Sequence, residues 1–173
     1  MLIKTVLTLI IIVCFFLLGE EICKIYKKKY KDISDLIKIL ETLYMQLEFG
    51  LYTLGEVFSK LGERKEFAVS KFFEKLSANL EQNESKDLEK ILDETIFLVK
   101  ENTLLEEKEI NELRNLIINL GKSDFYSQER IINLTIENLK KMQQQAFIEI
   151  TSKGILYKKL TLVMGFLLVI IFF

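Results

Sequence analysis

The chain has 173 residues, enough for one ordinary domain with attachments, and its net charge of −1 selects no class of partner. Half of its residues are hydrophobic and 28% are charged, yet it has no Pro, no Trp and no His. Without Pro nothing interrupts the donor ladder of a long helix, and without His the commonest general base and metal ligand is missing.

The first element is apolar. Leu2 to Leu18 approaches the roughly 20 residues that cross a bilayer, with Lys4 snorkelling to the headgroups. A cleaved signal peptide is the competing reading, but "FFLLGEE" lacks the small-x-small pattern of a cut site. A retained transmembrane anchor over residues 1–19 is therefore expected. Cys14 lies inside this run and Cys23 just beyond it, so the pair does not read as a disulfide framework, and Cys14 reads as a small buried hydrophobe. Lys24, Lys27, Lys28, Lys29 and Lys31 form a basic cluster directly after the run.

Residues 20–159 read as a helical bundle. Ile33, Leu36, Ile37, Leu40, Leu43, Tyr44 and Leu47 recur at the i, i+3, i+4, i+7 spacing of an amphipathic helix. The same spacing links Leu54, Val57, Phe58 and Leu61, then Val69, Phe72, Phe73, Leu76 and Leu80. Leu88, Ile91, Leu92, Ile96 and Val99 make a fourth stripe, and Ile110, Leu113, Ile117 and Leu120 a fifth. Ile132, Leu139, Met142 and Ala146 make a sixth, on a long helix running from about Asp124 towards the last apolar run. Thr53 with Glu56 and Thr103 with Glu106 have capping-box spacing. Gly50, Gly62 and Gly121 stand where the preceding helices should end, as left-handed caps. Short connections join antiparallel neighbours. The expected fold is therefore all-α, an up-down antiparallel bundle of about six helices.

The last element is "LTLVMGFLLVIIFF", Leu160 to Phe173, apolar on every face and preceded by Lys153, Lys158 and Lys159. It reads as a second transmembrane anchor over residues 160–173. Basic residues gather on the cytoplasmic side of spans. Both lysine clusters face the middle of the chain, so the bundle is expected in the cytoplasm and both termini outside.

Catalytic constellations are missing. Gly121-Lys122-Ser123 resembles the end of a phosphate loop, but the position five before Gly121 is Leu116, and a helix precedes it where a strand is required. No nucleophile with a base is present, and the basic clusters flank apolar runs, not a nucleic-acid face. A non-enzyme with no cofactor, metal, nucleic-acid or small-molecule ligand is expected. Residues 81–112 carry eleven acids against four Lys. Glu106, Glu107 and Glu109 are the candidate face for a basic partner, by electrostatic complementarity. "LGKSD" reads as a helix-to-helix corner in which Gly121 takes positive φ and Ser123 or Asp124 caps the next helix.

The order of these features resembles the stage III sporulation protein AB family of endospore-forming bacteria, over essentially the whole chain. The Leu-Gly-x-Ser-Asp-x-x-x-Gln pattern is carried by Leu120, Gly121, Ser123, Asp124 and Gln128. The turn at Phe49 and Gly50, followed by Leu54, is a second match; the family usually has Pro before that Leu, where this chain has Thr53. The resemblance implies a platform subunit of the channel assembled between mother cell and forespore, on the mother-cell side of the outer forespore membrane. It also implies a soluble part similar to the cytoplasmic domains of type II secretion and type IV pilus platform proteins. Other subunits of the complex and a cytosolic secretion-type ATPase would be partners. The residues alone leave a second reading open, a membrane-tethered adaptor that recruits one cytosolic partner.

Overall fold

A computed structural model describes residues 2–49, 52–82, 88–121 and 125–172. It is all-α, and no strand occurs among the described residues. The helices in chain order are α1 (Leu2–Phe49), α2 (Leu54–Gly62), α3 (Ser70–Gln82), α4 (Leu88–Thr95), α5 (Phe97–Asn102), α6 (Glu107–Leu120), α7 (Phe125–Glu149) and α8 (Ile155–Phe172). A π-helical turn, Ile150–Gly154, lies between α7 and α8. Two compact units form: Lys31–Gln143, and Met1–Tyr30 with Gln144–Phe173.

The Lys31–Gln143 unit is the expected up-down bundle. α1 and α7 run antiparallel in it, as their paired side chains show. Tyr44 donates its hydroxyl to Glu129 at 3.0 Å, Lys140 pairs with Glu41 at 3.6 Å, and Gln143 donates to Ser34 at 2.7 Å. The stripes read from the sequence supply the core. Ile33, Leu36, Leu40, Val57, Phe58, Leu61, Phe72, Phe73, Leu76, Ile91, Leu92, Val99, Leu113 and Leu139 are all fully buried. Phe73 packs on Phe72 at 5.0 Å and on Phe58 at 5.7 Å between ring centres. A fully buried side chain of this size stabilises by about 1.5–3 kcal/mol.

The Thr53–Glu56 capping box is present. The Glu56 amide donates to Thr53 Oγ1 at 3.3 Å, and the Thr53 amide donates to Glu56 Oε2 at 2.7 Å. That backbone bond, reinforced by the Thr53 hydroxyl, holds the Glu56 carboxyl below the usual glutamate range.

Four local expectations are corrected. Gly62 is not a left-handed cap. It is the last residue of α2, and Glu63, in a right-handed conformation, closes the helix by donating to Ser59 O at 3.1 Å. Its missing side chain serves α3, because a Cβ there would stand 2.7 Å from Glu74 Cα and 2.8 Å from Glu74 N. Gly121 likewise has φ −69° and ψ −15°, since its amide still donates to Ile117 O at 3.3 Å in the helical manner. Thr103 does not start α6. Its hydroxyl donates backward to Val99 O at 2.6 Å, which makes it the end of α5, and α6 begins after Glu106. The fourth stripe is not one helix. Thr95 turns its hydroxyl onto the carbonyls of Ile91 and Leu92, and the helix breaks at Ile96. Such back-bonding bends helices. Gly50 lies outside the described residues.

Candidate functional site: the apolar hairpin and the bundle corner

In the unit formed by Met1–Tyr30 and Gln144–Phe173, α1 and α8 pair closely. Gly165 admits Phe15, whose Cβ would be 2.9 Å from an added Cβ, and Gly19 faces Lys158 Cα at 3.2 Å on the same measure. Small residues of this kind let helix backbones approach without a water-driven force. The remaining surface is apolar and points outward. Leu9 is 66%, Ile170 76% and Ile171 74% exposed. Both α1 and the helix that ends in α8 hold a stretch long and apolar enough to cross a membrane, and only 11% of each stretch is buried. A soluble core helix would be mostly buried, so this surface suits lipid. Cys14 is exposed on it and Cys23 is buried, the reverse of the expectation for Cys14. Gly154 packs against Cys23, its Cβ position being 3.7 Å from Cys23 Sγ.

One end of the hairpin is basic and aromatic. Tyr26 stacks on Tyr157 with ring centres 6.5 Å apart, and Tyr30 tilts against Phe147 at 6.0 Å. Lys153 pairs with Glu149 at 2.7 Å, Lys29 with the same carboxylate at 3.8 Å, Lys24 with Glu21 at 2.6 Å, and Lys158 with Glu20. Tyrosines and lysines are the side chains that mark a membrane–water boundary.

In the bundle, Leu120 and Gln128, two residues of the corner pattern, meet. Leu120 is buried, and Gln128 reaches back from α7 to donate to the Leu120 carbonyl at 3.1 Å. Leu120 is the last residue of α6, where four carbonyls lack helical partners. Gln128 therefore satisfies a helix end across the corner, a role that its distance of eight residues hides from the sequence. A Cβ on Gly121 would meet Leu88 Cδ2 at 2.5 Å. Lys122, Ser123 and Asp124 lie outside the described residues. So does Gly50 of the expected turn, while Thr53 is the exposed cap of α2 and Leu54 is half-buried.

The three candidate acids are not equivalent. Glu106 and Glu107 are exposed, but Glu109 is fully buried. Glu109 accepts the Glu106 amide at 2.8 Å, while its Oε1 has Lys108 Nζ at 3.7 Å and no hydrogen bond among the described residues. Lys100 pairs with Glu107, and Lys108 lies 3.8 Å from Glu106. Arg114 similarly joins Asp93 at 2.8 Å and Glu89 at 3.4 Å, and these carboxylates hold its guanidinium above its ordinary range. Arg114 is therefore a cation added to the acidic segment from outside it, while Lys100 and Lys108 are the segment's own. Among the described residues no group of three or more Cys, Asp or Glu is placed to hold a metal ion.

A helical bundle whose chain also carries two outward-apolar helices with lysines and tyrosines at one end defines a class: an all-α protein that fits a membrane. The chain belongs to the stage III sporulation protein AB family, whose sequence pattern matches residues 4–173. That membership implies a role in stage III sporulation. No curated protein and no solved structure matches the chain.

Proposed function

We propose that the chain is a non-enzymatic platform subunit of a secretion-like channel complex between mother cell and forespore, anchored by two spans. The observation that carries this reading is the family match over residues 4–173 in a chain with two outward-apolar helices. On this reading the bundle lies in the cytoplasm of the mother cell, at the outer forespore membrane. It would dock polytopic subunits of the complex and a cytosolic secretion-type ATPase. Exposed Glu106 and Glu107 offer charge for such docking; buried Glu109 belongs to the cap of α6.

The test is recovery of the complex. A tagged full-length chain, solubilised in mild detergent from cross-linked membranes of sporulating cells, should carry other membrane subunits and a secretion-type ATPase. Recovery of the chain alone, from membranes in which a known complex survives the same treatment, would overturn the platform reading.

A further inference from the structure

The basic end of the hairpin holds a groove of about 680 Å³. Cys23 and Lys27 line it from α1, and Ile155, Lys158, Lys159 and Val163 from α8. Its surface is mostly aliphatic, but three lysine stems converge on it. Glu20 is engaged by Lys158, whereas Lys27 and Lys159 form no ion pair among the described residues. The groove thus has an apolar wall and an excess of positive charge. The stacked rings of Tyr26 and Tyr157 belong to the same end, and Tyr157 is 42% exposed. A tyrosine stack with one exposed ring beside lysines is the chemistry of the headgroup level.

The helix geometry accounts for the groove. The π turn Ile150–Gly154 interrupts the regular ladder just before α8, and Gly154 brings that turn against Tyr26 and Cys23. A π turn shifts the register of the side chains that follow it, and such turns recur at functional sites. Here Ile155 and Lys158 come to line one wall.

We infer that this groove binds one anionic phospholipid, with its phosphate between Lys27 and Lys159 and an acyl chain along Ile155 and Val163. Basic pockets between membrane helices select such headgroups, because the phosphate gains the lysines while the chain stays in an apolar slot. The inference rests on the membrane-anchored reading given above.

The test uses the full-length chain in detergent, examined by native mass spectrometry after exchange with phosphatidylglycerol or with phosphatidylcholine of the same acyl chains. One retained phosphatidylglycerol per chain is expected, with no matching phosphatidylcholine adduct. A lysine beside an anionic headgroup changes affinity about fivefold, so Lys27→Gln with Lys159→Gln should weaken retention about thirtyfold. Lys24→Gln with Lys153→Gln, which removes the same charge outside the groove, should leave it unchanged. Val163→Trp, which fills the slot and keeps every charge, should also release the lipid. Equal retention of phosphatidylcholine, equal loss in both lysine pairs, or displacement of the lipid by inorganic phosphate alone would overturn the proposal. Carbonate extraction of membranes separates the two readings. A chain that is released overturns both, and a retained chain that binds no phosphatidylglycerol overturns this one alone.

Discussion

Two glycines of α2 differ by what surrounds them. Gly62 stands against the backbone of Glu74, with Cβ distances of 2.7 and 2.8 Å to Cα and N, whereas Gly55 has nothing within 4 Å of its Cβ position. A backbone neighbour cannot swing aside as a flexible side chain can, so a methyl group at Gly62 forces α2 away from α3. Gly62→Ala should cost about 1–3 kcal/mol, the usual range for overpacking. Gly55→Ala should be neutral or stabilise by up to about 1 kcal/mol, by removing backbone freedom from the unfolded chain. Thermal unfolding of the two variants in the same detergent measures the difference. Equal melting temperatures would show that the backbones of α2 and α3 do not approach this closely.

The α6–α7 corner shows the same logic in a larger element. Gly121 has an ordinary right-handed conformation, so its replacement carries no intrinsic backbone penalty. The specific contact is instead Gln128 donating to the Leu120 carbonyl at 3.1 Å. Gln128→Ala removes that donor and leaves a helix-end carbonyl unsatisfied, at a cost of about 0.5–1.5 kcal/mol. Gln128→Glu should be worse, because a carboxylate offers no donor and brings negative charge to the negative end of α6. Urea unfolding of the full-length chain in detergent, followed by circular dichroism, should rank wild type above alanine and alanine above glutamate. The reverse order of the two variants would remove the cap from the corner.

For the molecule as a whole, the arrangement of lysines predicts its sidedness. Lys24 to Lys31 follow the first apolar run and Lys153 to Lys159 precede the second. Positive residues remain on the cytoplasmic side, so the proposed two-span topology puts both ends of the chain outside. Alkaline phosphatase fused after Phe173 should be active, and the same enzyme inserted between α3 and α4 should be inactive. Activity at the inner position with none at the end would invert the topology, and inactivity at both would leave no crossing.

The bundle's stripes were legible because helical periodicity is local: spacings of three and four residues state which face must leave water. The apolar runs, the lysines beside them and the Thr53–Glu56 box were legible for the same reason. Ile39 was not, since it lies off the stripe of α1 yet is fully buried, which only packing on more than one face of that helix requires. The pairing of Lys100 with Glu107 and the reach of Gln128 to Leu120 join residues across a break and a corner, and Glu109 is fully buried although Glu106 and Glu107 beside it are exposed. The glycines make the distinction plainest. Sequence marks where a side chain is missing, but whether that absence serves a left-handed turn or another helix's backbone depends on what packs there. At Gly62 and Gly165 it is the close approach of α3 and of Phe15, a distance only the tertiary structure sets.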